Sequence, residues 1–254
     1  MAQISRRAMI KVVSGWLLAA VSGAFKVAKA DEHSGAARAG LGRHVARLND
    51  LPSTTYIFFN PEEAAFIEAA VARLIPTDEQ WGGAFEAGVP NYMDKQLAGA
   101  WGAGERLYRS GPWYPGTPEQ GYQLPFTPGE LFHTALGAMS KGGEGTRFPK
   151  LGPEDQDAYL KRLEAGRRDL GGVPSEVFFA QLWELTLEGF FADPVYGGNR
   201  DMISWRMIGF PGAYASYYDL VDKHGIKLDR PPMSLAEDAR GHVHMNPGIP
   251  AKSP

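Results

Sequence analysis

The sequence predicts an all-α protein, organised as a single irregular helical domain with long loops rich in glycine, proline and aromatic residues and with extended arms at both termini. Two observations indicate this class. Apolar residues recur at helical spacing in several segments, some opened by a capping residue and proline, and only residues 54–59 have the composition of a β-strand. Because nothing pairs with that stretch, we expect it to lie extended on the helices.

Length and cysteine content set further bounds. A chain of 254 residues can bury one substantial core. The absence of cysteine excludes disulfides, iron–sulfur clusters, cysteine-ligated zinc and c-type haem attachment. No covalent link to a partner through sulfur is possible.

Residues 1–30 have the features of an export signal. An apolar run follows a basic start, and residues 28–30 read Ala-Lys-Ala, a small-x-small cleavage pattern. Paired arginines indicate the Tat pathway. A mobile, basic amphipathic helix is the alternative interpretation. The predicted Tat motif consists of Ser5, Arg6, Arg7 and Lys11.

The charge of the chain changes if this signal is cleaved. Residues 1–30 contain five basic and no acidic residues, so their removal takes the formal net charge from −3 to −8. An acidic mature chain argues against nucleic-acid binding. Residues 31–52 are polar and weakly periodic, which predicts a linker or arm.

The helical domain is predicted to span 53–226 and to be followed by a proline-rich tail over 227–254. Asn60 and Thr127 are expected N-caps, each with proline next and glutamate three residues later, the pattern of a capping box. The segment 175–191 is apolar on nearly all sides, which predicts a core helix with Trp183 inside. The predicted helices are 61–75, 90–100, 128–140, 153–165, 175–191 and 214–223.

Two irregular regions carry an unusual amount of aromatic surface, and these are the 102–128 loop and the 188–213 segment. Disordered segments lack aromatic residues, so the 102–128 loop is expected to order against its own helices or against another chain. At least one of Phe190 and Phe191 is expected to be a core residue. In the second region, Arg200 and Arg206 are expected to pair with Asp193 and Asp201. Core packing is the alternative role for the rings. The candidate partner-interface residues are Trp113, Tyr114, Tyr122, Phe190, Phe191, Tyr196, Trp205 and Phe210.

Motifs for chemistry are weak throughout. The nearest match to a dinucleotide fingerprint, residues 40–45, lacks the third glycine and follows no strand, and no Walker, Gly-x-Ser-x-Gly or His-Glu-x-x-His motif occurs. Glu184 and Glu188 are one helical turn apart and resemble a catalytic carboxylate pair, although such pairs are ordinary on helix surfaces. We therefore predict no catalytic and no cofactor-binding residue.

Two segments resemble metal sites without matching one. Asp193, Asn199 and Asp201 supply oxygen ligands, but their spacing differs from that of a calcium loop, and local turns explain them equally well. His242, His244 and Met245 in the tail are suitable ligands for copper, although chance also provides such a set. No metal ligand is predicted.

Longer strings of residues carry a resemblance that covers about residues 58–225. The sequence resembles the gluconate 2-dehydrogenase subunit 3 family, the small gamma subunit of membrane-bound, FAD-dependent sugar and sugar-acid dehydrogenases. The 96–99 and 118–123 strings look most like the gluconate branch. The resemblance rests on residues 59–63, 74–78, 87–90, 96–99, 118–124, 188–199 and 209–213.

The resemblance implies a complex of three subunits. A GMC-type flavoprotein would carry FAD and the substrate site, a multihaem cytochrome c would carry haem, and this chain would hold neither cofactor. The small subunit would be non-catalytic, assist maturation of the flavoprotein and lead it through the Tat translocase to the periplasm, where the complex is held at the inner membrane. In some branches of the family a disulfide links this subunit to the large subunit. This chain cannot form such a bond, because it contains no cysteine. A free-standing exported metal-binding protein or small periplasmic enzyme is the alternative.

Overall fold

The computed structural model describes residues 56–214, 220–226 and 230–235. Within these ranges the chain forms seven α-helices with short 3₁₀ turns and no β-strand, so the all-α prediction is confirmed. The predicted Tat motif, the 31–52 arm and the His242–Met245 cluster lie outside the described residues. The helices are α1 (Pro61–Leu74), α2 (Val89–Ala98), α3 (Pro128–Lys141), α4 (Glu144–Arg147), α5 (Pro153–Glu164), α6 (Ser175–Phe191) and α7 (Ile203–Ile208).

Both predicted capping boxes are confirmed. The side chain of Asn60 accepts from the Glu63 amide at 3.0 Å, and the Glu63 carboxylate accepts from the Asn60 amide at 3.0 Å. Thr127 and Glu130 make the same reciprocal pair at 3.2 and 2.8 Å. Each box satisfies amides that the first helical turn leaves without an intrahelical partner, and therefore fixes where the helix begins.

The predicted set of helices differs from the structure at α4, at α7 and at residues 214–223. Helices α4 and α7 were not predicted, because each is shorter than the window in which helical periodicity is visible. The predicted 214–223 helix lies partly outside the described residues, and the described 220–226 part forms turns. Tyr214 lies outside any helix. It follows the isolated bridge between Gly212 and Met233, and its hydroxyl donates to the Pro231 carbonyl at 2.7 Å.

Helix α6 is the centre of the domain. It packs against α1, α2, α3, α5 and α7. Its Phe178 ring is fully buried and lies 5.3 Å from Phe132 and 6.4 Å from Phe66, while Phe66 lies 4.7 Å from Phe148. Fully burying one such ring contributes about 1.5–3 kcal/mol, so this cluster is a main source of stability. None of the helices in the described ranges has the length and hydropathy needed to cross a bilayer.

The prediction that Trp183 is a core residue is wrong. Phe178 and Leu182 on the same helix are fully buried, but Trp183 is only partly buried against the core. It lies beside an exposed stripe that contains Ala180 and Glu184. The helix therefore keeps one side open to solvent despite its apolar composition.

Residues 56–59 lie against the helices, as expected, and a buried carboxylate holds them there. Asp94 on α2 is 2% exposed and accepts from the amides of Ile57, Phe58 and Phe59 at 2.9, 2.9 and 3.0 Å. Hydrogen bonds from several amides compensate the charge for the loss of water. Sequence reasoning missed Asp94, because a single aspartate inside a helix carries no local signal of burial.

Candidate partner interface

The 102–128 loop is closed at its base. The Gly129 amide donates to the Gly102 carbonyl at 2.9 Å, so the two ends of the loop touch. Position 102 requires glycine, because an added Cβ would lie 1.8 Å from the Leu97 carbonyl oxygen. Surface loops with closed ends that pack their own side chains are often functional.

The second half of this loop packs onto the domain. The rings of Tyr122 and Phe126 lie against the core, and the Tyr122 hydroxyl donates to the Phe126 carbonyl at 3.1 Å. Burial raises the pKa of Tyr122 to about 12. Arg109 and Glu130 form an exposed ion pair of 2.9 Å across the base of the loop. These contacts fix the position of the loop relative to α3.

The first half of the loop presents its rings to solvent. Tyr108 is 79% exposed and Tyr114 is 72% exposed, and Leu107 and the neighbouring Trp101 are also exposed. Of the predicted interface residues here, Tyr114 is therefore available to a partner, while Trp113 and Tyr122 are half-buried. Large rings held outward by a closed loop have the form of an interface anchor.

The 188–213 segment is organised around a buried amide. Asn199 is fully buried, and its side-chain oxygen accepts from the Ser204 amide at 3.0 Å and from the Ser204 hydroxyl at 2.8 Å. Its side-chain nitrogen donates to the Ala192 carbonyl at 2.9 Å. Asn199, Asp201 and Met202 all have positive φ, a conformation that surrounding contacts must hold in place.

Trp205 on α7 closes this segment over the end of α6. Its indole nitrogen donates to the Phe191 carbonyl at 2.9 Å, and its ring meets Phe210 edge to face at 5.1 Å. Trp205 is 6% exposed and Phe190 is 1% exposed. Both are buried in the free chain, and for Phe190 this fits the expectation that at least one of Phe190 and Phe191 is core. Phe191, Tyr196 and Phe210 are exposed and therefore available to a partner.

One carboxylate of the segment, Asp193, has other partners than the predicted arginines. Among the described residues it accepts from the Val195 amide, the Ser234 hydroxyl and the Leu235 amide, and none of its partners is an arginine. The side-chain oxygens of Asp193 and Asn199 thus accept from different donors. In the part of the chain that the structure describes, no three His, Asp or Glu side chains are grouped as metal ligands.

Glu184 and Glu188 lie on the solvent side of α6. Glu184 accepts from the Gln181 side chain at 2.9 Å, and the Tyr92 hydroxyl lies 3.4 Å from Glu188. Partial burial, and then the charge of Glu184, raise the pKa of Glu188. Burial, and then the charge of Glu188, raise the pKa of Tyr92 to about 12. Glu184 thus pairs with a neighbour on its own helix, and Glu188 lies beside a buried tyrosine of α2.

A histidine that sequence reasoning missed lies in an open pocket beside the loop. His133 stacks on Phe58 at 4.0 Å, and its Nδ1 atom is 3.2 Å from a Glu63 oxygen. Pro125, Phe126, Glu130 and Thr134 line the same pocket. Because Glu63 also caps α1, we interpret His133 as a structural link between α1 and α3.

The helical domain matches the model of one known protein family. The model of the family described as gluconate 2-dehydrogenase subunit 3 matches residues 61–212. The match contains α1 to α7, the 102–128 loop and nearly all of the 188–213 segment. No curated protein and no solved structure matches the chain. The chain belongs to the gluconate 2-dehydrogenase subunit 3 family.

Proposed function

We propose that this chain is the non-catalytic small subunit of a periplasmic, membrane-bound gluconate 2-dehydrogenase. Its partners are an FAD-containing, GMC-type large subunit and a multihaem cytochrome c. It assists folding of the large subunit and leads it through the Tat translocase. FAD and haem c belong to those partners, and this chain contributes no catalytic residue.

The observation that supports this proposal is the exposure of Tyr108 and Tyr114 on a loop whose ends are fixed. Two rings exposed to solvent add no packing energy to the loop itself. At an interface the same rings would supply a large contact area at low entropic cost. Membership of a gluconate 2-dehydrogenase subunit family supports a role inside a multi-subunit complex. The partner surface would include the exposed Tyr114 and the half-buried Trp113 and Tyr122.

The export step is tested by replacing both Arg6 and Arg7 with lysine in cells that produce all three subunits. We expect this chain and the flavoprotein to remain together in the cytoplasm, and dehydrogenase activity outside the cytoplasm to disappear. Replacement of Lys26 by arginine is the matched control, since it preserves the paired arginines. Normal periplasmic activity in the double variant would refute escorted export.

A further inference from the structure

A short C-terminal segment outside the family match returns to the domain. Met233 forms an isolated parallel bridge with Gly212, in which the Ala213 amide donates to the Met233 carbonyl at 2.8 Å. The Met233 amide donates to the Pro211 carbonyl at 3.1 Å. Residues 230–235 thus lie along the end of the 188–213 segment, although they follow the matched 61–212 region.

The same residues also reach the beginning of the 188–213 segment. Asp193, which is 9% exposed, accepts from the Ser234 hydroxyl at 2.6 Å on one oxygen and from the Leu235 amide at 2.8 Å on the other. The Val195 amide adds a third bond at 3.0 Å and starts the 3₁₀ turn Pro194–Tyr196. A buried carboxylate needs such donors, because leaving it without them is costly.

The backbone at the bridge leaves room for Met233 to lie against Gly212. Gly212 has a φ of +82°, and a Cβ added there would lie 2.2 Å from the Met233 oxygen and 2.9 Å from the Trp205 ring. Only glycine lets the passing chain come this close. Tyr214 adds a further contact through its hydroxyl to Pro231, with Arg230 placed 5.1 Å from its ring.

We propose that residues 230–235 form a strap that joins the two ends of the 188–213 segment and holds it in its observed conformation, with Asp193 as the residue that fastens it. The strap contacts Asp193 at one end of the segment and Pro211–Ala213 at the other, so it acts as a non-covalent cross-link. A cross-link restricts the open states of the loop it closes. The positive-φ residues Asn199, Asp201 and Met202 lie inside the closed loop, where such restraint is needed.

Hydrogen exchange of the full chain tests the strap. Ser234→Ala and Met233→Pro each remove one strap bond without altering the 188–213 segment. We expect amides within 193–213 to exchange about tenfold faster or more in both variants, together with those of the strap, while α1 and α3 keep their protection. Leu235→Ala is the matched control, because its exposed side chain is lost but its amide bond to Asp193 remains.

Faster exchange confined to 230–235 would overturn the proposal, because these residues would then bind to the domain without restraining the 188–213 segment. Unchanged exchange in both variants would overturn it equally. Asp193→Asn adds an independent measurement from the other side of the contact, and we expect it to release the same two regions. The strap needs no partner subunit, so failure to bind the flavoprotein would leave this inference standing.

Discussion

The two aromatic regions of the molecule have similar compositions and different structures. The 102–128 loop is fixed at its base by Gly102 and Gly129 and leaves Tyr108 and Tyr114 in solvent. The 188–213 segment turns inward around Asn199 and Trp205. Both regions keep some rings in solvent, and only the 188–213 segment buries an asparagine and a tryptophan that hydrogen-bond to the end of α6. The difference teaches that buried polar anchors, and not the number of rings, decide how far such a segment turns inward.

Trp205→Ala tests this comparison of the two regions with the largest expected effect. Removing a buried tryptophan leaves a cavity and deletes its hydrogen bond to Phe191, so the free energy of unfolding should fall by about 3–5 kcal/mol. Thermal or urea unfolding of the free chain measures it. The control is Trp101→Ala, the same truncation at an exposed position, which should change stability by less than about 0.5 kcal/mol. Equal losses in the two variants would remove the distinction between the regions.

A smaller loss in the free energy of unfolding is expected at Tyr122, in the half of the 102–128 loop that packs on the domain. Tyr122→Phe removes the hydrogen bond to the Phe126 carbonyl and should cost about 1 kcal/mol near neutral pH. Burial raises the pKa of Tyr122 from 10.0 to about 12, so folding favours its protonated form. That contribution is complete below pH 10 and is lost as the pH rises through 12.

The pH dependence can be measured by urea unfolding at several pH values above 9. The Tyr122→Phe variant should lose stability less steeply than the parent chain at alkaline pH. Tyr114→Phe, which alters an exposed hydroxyl of the same loop, should follow the parent curve. A parent-like slope in Tyr122→Phe would mean that its hydroxyl is not protected by folding.

Local signals made much of the fold predictable. The capping boxes at Asn60 and Thr127 and the apolar pattern of α6 are read from neighbouring residues, and each lies where the sequence indicates. The mistakes concern contacts between residues distant in sequence. Trp183 faces a side of α6 that no other element covers fully, which the apolar composition of the helix does not reveal.

The candidate site was predictable only in part, for the same physical reason. Sequence identified both aromatic regions, Tyr114 and the burial of one ring of the Phe190–Phe191 pair. It could not say which of the two is buried or that Trp205 is, because burial depends on tertiary packing. It also expected Asp193 to pair with an arginine, whereas two of its three donors are a hydroxyl and an amide some forty positions away. Long-range polar partners of this kind leave no pattern in the local sequence.

The central proposal is that the exposed first half of the 102–128 loop, with Tyr108 and Tyr114, binds the flavoprotein while contributing little to the stability of the chain. A Tyr108→Ala, Tyr114→Ala double variant tests it by paired measurements of flavoprotein capture and of unfolding of the free chain. We expect association to weaken by about 2 kcal/mol or more, with unfolding changed by less than about 0.5 kcal/mol. Val221→Ala, at an exposed apolar residue outside both regions, should change neither quantity. Unchanged capture, or a loss of stability as large as that of Trp205→Ala, would contradict the claim.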